Sequence, residues 1–226
     1  MLTARWLSQS FVHWPYPPDE VQALLPDGLT VDVLRGAAWV GFTPFRMGST
    51  KVFGLVPVPG QNFLETNLRT YVRLPNGRDG IWFLSIDVTD PLMLAARAIG
   101  APYHLGDLRI SRDGPLIHYA GDRRGGGPSY RLSVRIGAPV EAAEADVWLT
   151  SRWRSFTRQA GSIWETPVEH EPWPLAHGTI LDVRETLTTH AGLTAPVGDP
   201  VMHYSPGVGP VRLGISRPTG LPARGR

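Results

Sequence analysis

Cysteine is missing from this 226-residue chain. That excludes disulfides, thiolate zinc sites and a cysteine nucleophile. Lysine is almost missing: Lys51 is the only one among 22 basic residues, the others being arginine. Side-chain amine chemistry therefore has one candidate residue. No stretch approaches about 18 consecutive apolar residues, so nothing reads as a membrane span. The segment Met1 to His13 contains Arg5 and no apolar run of signal-peptide length. A cytoplasmic protein with no membrane partner is the resulting expectation. Net charge is only +2 and the arginines are scattered. The densest cluster, Arg123-Arg124 before Gly125-Gly126-Gly127, reads as a solvated loop, which argues against a nucleic-acid partner. The seven histidines show no ligand spacing, and no His-Glu-x-x-His, Gly-x-Ser-x-Gly or phosphate-loop pattern occurs. Neither a metal nor a cofactor is expected.

What the chain does have is turn chemistry. It carries 25 glycines and 22 prolines, and 8 tryptophans to pack a core or line a cavity. Apolar residues make up 42% and charged residues 19%, the balance of a globular protein. Strands are expected at Ser10–Trp14, Leu29–Val33, Ala38–Phe42, Phe63–Val72, Ile81–Val88, Leu108–Arg112, Leu116–Tyr119, Tyr130–Ile136, Ser162–His170 and Thr179–Arg184. Asp19–Leu25 and Ala142–Leu149 read as short helices, and Leu187–Ala191 as a helical turn. The clearest helix follows Thr89-Asp90-Pro91, has an apolar stripe at Leu92, Ala95, Ala96 and Ile99, and stops at Gly100. Gly48 to Gly60, including Lys51, reads as loop. The fold class is α+β, mainly β: a curled sheet forming an open barrel or cone with a few short helices. One domain is expected over residues 1–215, with a disordered tail over 216–226.

The segment from Phe63 to Val72 has two unlike faces. Side chains alternate along a strand, so Glu65, Asn67, Arg69 and Tyr71 share one side and Leu64, Leu68 and Val72 the other. Glu65 and Arg69 stand four apart, about 13 Å between Cα atoms at about 3.3 Å per residue, too far for a tight pair. Inside a cavity, Arg69 suits a carboxylate and Glu65 suits proton transfer, its pKa raised by burial. The plainer alternative is a structural ion network behind the sheet.

Five stretches carry a resemblance: Trp39 to Met47, Phe63 to Val72, Gly100-Ala101-Pro102-Tyr103-His104-Leu105, His170 to Leu175, and His203 to Val208. Together they resemble the YqjF-like bacterial family of unknown function, within the acetoacetate decarboxylase-like superfamily, over roughly residues 6–215. The resemblance implies that superfamily's fold and pocket. It also implies that Tyr103 and His104 stand where the decarboxylase has its Schiff-base lysine and the lysine that tunes it, and that Glu65 matches a pocket glutamate. Neither Tyr103 nor His104 offers a primary amine, so a Schiff base is closed at that position.

Two functions of different class follow. One is acid–base chemistry on a small carboxylate or carbonyl compound, with Glu65, Tyr103 and His104 as catalytic groups and Arg69, Asn67 and Tyr71 holding the substrate. The other is a binding or sensing module that kept the pocket without the chemistry. For Tyr103 and His104 the plainer alternative is a packed aromatic and an exposed loop histidine. A homo-oligomer is a further possibility.

Overall fold

Turn residues divide the chain, and the segments between them pair edge to edge. The computed structural model describes residues 2–52, 56–57 and 62–223, with backbone alone at 50–52 and 56–57. The strands are β1 (Leu2–Tyr16), β2 (Thr30–Val31), β3 (Val33–Leu34), β4 (Ala37–Val52), β5 (Val56–Pro57), β6 (Phe63–Arg73), β7 (Asp79–Val88) and β8 (Tyr103–Asp113). They continue as β9 (Leu116–Arg123), β10 (Ser129–Pro139), β11 (Arg154–Gln159), β12 (Ser162–Glu169), β13 (Ala176–Glu185), β14 (Val201–Leu213) and β15 (Arg217–Pro222). Short helices α1 (Pro18–Gln22), α2 (Glu144–Thr150) and α3 (Leu187–His190) join them, with a 3-10 helix at Pro91–Ile99. Among the described residues no helix is long and apolar enough to cross a membrane.

The sheet closes on itself. Strands β7, β8, β9, β10, β13, β14, β1, β4 and β6 form a ring, because β6 pairs with both β4 and β7. The hairpin β11–β12 makes a second, smaller ring. Strand β11 pairs parallel with β7 at one end, and β12 pairs with β14 at the other. The two rings share the wall β14–β1–β4–β6–β7, and alternation gives that wall two faces. Val40, Phe42, Leu64 and Leu68 look into the large ring and join a core with Val12, Tyr119 and Leu132. Phe45, Met47, Glu65, Asn67 and Arg69 look into the small ring, where a cavity lies.

A bulge in β7 completes that cavity. Leu68 opposes Ser85 while Arg69 opposes Phe83, leaving Leu84 without a partner on β6. One extra residue reverses the phase of a strand. Ile81, Phe83 and Ile86 therefore all line the cavity, while Leu84 packs into the large core.

The helix expected after Asp90 is present as a 3-10 helix. The Asp90 carboxylate accepts from the Leu92 N–H at 2.9 Å, and Gly100 closes it at φ 82°. Three residues per turn place Met93, Ala96 and Ile99 over the cavity. The expected stripe is corrected accordingly: Leu92 is 58% exposed.

The tail is also corrected: Arg217–Pro222 is a strand on β12. The Thr219 hydroxyl donates to the Ile163 carbonyl at 2.9 Å, and the Ala223 N–H to the Gly161 carbonyl at 2.8 Å. Leu221 and Ala223 pack beside Leu29, Phe156 and Ile163. Prolines are tolerated here because β15 is an edge strand. Residues 224–226 lie outside the described residues.

The loop expected at Gly48–Gly60 is strand through Val52. The backbone of Lys51 lies opposite Thr3 of β1 and Pro57 of β5. The register of β1 with β4 slips twice, so irregular residues are absorbed as bulges rather than a break. The parts of that expectation at residues 53–55 and 58–60 lie outside the described residues. Strands β11 and β14 were not anticipated.

Candidate functional site

The cavity of the small ring has a volume of about 320 Å³. Strand β6 aims three polar side chains into it. Glu65 is 4% exposed, Asn67 6% and Arg69 5%. Their neighbours across β4 explain the fit: Phe45 stands beside Glu65, and Gly41 beside Arg69. A Cβ at Gly41 would come within 2.9 Å of the His13 Nε2 and 3.4 Å of the Arg69 Cγ, so only glycine leaves room there.

Burial pushes the Glu65 carboxyl up to about 8, while hydrogen bonds from Asn67 and Tyr103 pull the other way. Its Oε2 has no partner. Tyr103 is the first residue of β8, opposite Ile86 of β7. Burial, then the neighbouring Glu65, raise its phenol well above the ordinary value. At neutral pH both groups hold their protons, and Tyr103 keeps its own well above the pH at which Glu65 loses one.

Arg69 has no counter-charge. Its Nε and Nη2 lack hydrogen-bond partners, and among the described residues it joins no ion pair. Its guanidinium instead meets the Phe11 and Tyr71 rings, 5.6 Å and 5.9 Å from their centroids. Arg152, from the segment after α2, lines the same cavity but is neutralised. It pairs with Asp32 at 3.0 Å and with Asp79, and its guanidinium lies 4.2 Å from the Trp148 centroid. With Glu65 protonated, the cavity holds one uncompensated positive charge at Arg69.

Of the residues expected at the site, Glu65, Asn67, Arg69 and Tyr103 converge on this cavity. His104 does not line it. Tyr103 and His104 open a strand rather than a loop, so neighbours point to opposite sides. His104 meets Arg97 at 3.3 Å, and its imidazole is pushed down to about 4 by burial and then by Arg123 and Arg97. Tyr71 stands behind Arg69 rather than in the cavity wall. Its hydroxyl donates to the Leu149 carbonyl, so His13 Nε2, 2.7 Å away, must be the donor to the phenol oxygen. Burial, then the charge of Arg69, hold the pKa of His13 well below the ordinary value.

Several wall residues escaped the sequence reading. Gln9 of β1 and Arg152 lay outside every stretch singled out, while His170 and Trp173 belong to a stretch that carried the family resemblance without being assigned to the site. Ser155 and Thr157, flanking the buried Phe156, form a further part of the wall with Thr166 of β12. The alternation Ser-Phe-Thr was the available signal for β11.

Known proteins share this architecture. The structure of the enduracididine biosynthesis enzyme MppR complexed with pyruvate superposes with a TM-score of 0.71 at 18% identity, over 96% of this chain and 90% of that one. An acetoacetate decarboxylase-like enzyme from Sphingomonas wittichii RW1 gives a TM-score of 0.66 at 18% identity, covering 99% and 94%. At such identities the likeness is one of fold. In sequence, the uncharacterized protein YqjF of Bacillus subtilis (strain 168) is 33% identical over 207 residues, which is 88% of this chain and 85% of that protein. The family pattern of DUF2071, described as an uncharacterized conserved protein, matches residues 3–209. A match of that extent settles descent as well as shape: this chain belongs to the DUF2071 family.

Proposed function

We propose that this protein binds a small carboxylic acid or carbonyl compound and acts on it by acid–base chemistry, without forming a covalent amine adduct. The observation that carries this reading is Arg69, a buried guanidinium with no counter-charge, in one cavity with a carboxyl whose pKa is about 8. A buried unpaired charge costs stability. An anionic ligand supplies the missing partner, and the free Nε and Nη2 offer two parallel donors to a carboxylate. The pyruvate in the MppR complex is a ligand of this kind in a protein of the same fold.

Glu65 then serves as the base. A pKa of about 8 lets it take a proton from carbon beside a carbonyl and return it near neutrality. Tyr103, still protonated, donates to the carbonyl oxygen as charge develops there. Asn67 orients Glu65. Tyr103 stands where the resemblance puts the decarboxylase lysine, which is why the amine route is left out.

The test is solvent hydrogen–deuterium exchange into candidate keto acids. Exchange is expected to rise with pH to a plateau above about 8, and Glu65→Gln is expected to lower it by roughly 10²–10⁴-fold. Borohydride with acetoacetate or pyruvate is expected to trap no adduct. A trapped adduct would overturn the amine-free route, and full exchange in Glu65→Gln would remove Glu65 from the mechanism. Tight binding with no exchange in any acid would favour the sensing module.

A further inference from the structure

The acid-binding reading of Arg69 leaves the rest of the cavity to be explained, and the following rests on that reading. We propose that the ligand is a carboxylic acid with a bulky apolar body, of aryl-alkyl size, rather than a keto acid of three or four carbons.

The first reason is room. A volume of about 320 Å³ equals about ten waters at about 30 Å³ each. A three-carbon acid on Arg69 would leave most of that space as water against hydrocarbon. Cavities of this size suit ligands larger than pyruvate.

The second reason is where the polar atoms lie. Strand β6 runs from Phe63 to Arg73, so Arg69 and Glu65 mark two positions about 13 Å apart along one face. At the Arg69 position stand the unpartnered guanidinium nitrogens. At the Glu65 position the Glu65 carboxyl and the Tyr103 phenol are framed by hydrocarbon: Phe45, Met47 and Ile86 cluster there with Met93 of the 3-10 helix. A guanidinium at one end and two hydrogen-bonding groups set in hydrocarbon at the other suit an amphipathic acid.

The third reason is the nature of the apolar wall. Met47 and Met93 are unbranched and adapt to the shape of a neighbour, with favourable sulfur contacts to rings. Phe45 and Phe83 present further aromatic surface. Met93 sits on a helix with no fully buried residue, the least anchored side of the cavity, so a large body can be admitted there.

The experiment uses the full chain and four probes: pyruvate, acetoacetate, 4-phenyl-2-oxobutanoate, and the uncharged 4-phenylbutan-2-one. Affinities are read by calorimetry and by fluorescence of Trp6 and Trp173, which line the cavity. The aryl acid is expected to bind about tenfold or more tightly than pyruvate, the gain of burying a ring. Arg69→Gln is expected to weaken all three acids and leave the ketone unchanged. Met93→Trp, placed on the exposed helix to spare the fold, is expected to shrink the aryl-to-pyruvate ratio several-fold.

Pyruvate binding as tightly as the aryl acid, with both lost in Arg69→Gln, overturns this proposal and leaves the acid site standing. An unchanged ratio in Met93→Trp overturns it as well. Acids that bind equally to Arg69→Gln, or that fail to bind at all, overturn the acid site and this proposal together.

Discussion

Two arginines reach the same cavity and differ in one respect. Arg152 meets Asp32 and Asp79, whereas Arg69 meets only ring faces. That difference predicts opposite responses. Arg69→Met removes a charge the fold does not compensate, so the melting temperature is expected to rise by a few degrees while acid binding disappears. Arg152→Met takes one of two arginines from the buried Asp32, which keeps Arg73 at 2.7 Å, and is expected to cost about 1–3 kcal/mol in denaturant unfolding. Equal destabilisation by both variants would contradict this division of labour. At this scale the sequence was readable where alternation alone decides. Glu65, Asn67 and Arg69 share a face because a strand allows nothing else. Arg152 was not readable, because its partners lie far away in the chain and meet it only in the closed fold. His104 misled because the sequence paired it with Tyr103: Tyr103 lines the cavity, and along a regular strand its neighbour must face the other way.

Elements carry the site through their irregularities. The phase change at Leu84 brings Ile81, Phe83 and Ile86 to one cavity, and a run of apolar residues cannot reveal where such a change falls. The tight helix over the cavity was legible in its ends, where Asp90 caps and Gly100 stops it, but not in its winding. Gly100 holds φ 82°, and a Cβ there would lie 2.1 Å from the Arg158 carbonyl oxygen. Gly100→Ala is therefore expected to cost about 2–4 kcal/mol, from left-handed strain plus overpacking. Because Tyr103 follows three residues later, the same change is expected to weaken ligand binding; circular-dichroism melting and calorimetry check the two effects. Near-native stability would mean the helix end can move aside. The last strand escaped notice because its prolines and glycines read as a disordered tail, while its hydrogen bonds to β12 depend on an edge that only the assembled sheet provides.

At the scale of the whole molecule, the curled β-rich sheet could be read from turn spacing and from the family resemblance. The second ring could not. It depends on β12 reaching β14 and β11 reaching β7, contacts between segments with no local signature. The enclosure has a global cost. Glu65 titrates at its ordinary 4.5 when unfolded and at about 8 when folded, so the folded state holds its proton more tightly. Stability from this group is whole below pH 4.5 and drains away as pH climbs to about 8. At about 1.36 kcal/mol per pH unit the loss is roughly 5 kcal/mol. Glu65→Gln is expected to flatten that part of the curve and to stabilise the protein most at pH 9; an unaltered pH profile would show that Glu65 ionises freely. The partition wall between the rings has a consequence for descent. On β4 and β6, Val40, Phe42, Leu64 and Leu68 answer to the hydrocarbon interior, and Phe45, Met47, Glu65, Asn67 and Arg69 to whatever occupies the other chamber. Selection can thus revise the guest list through one set of positions while the other keeps the house standing.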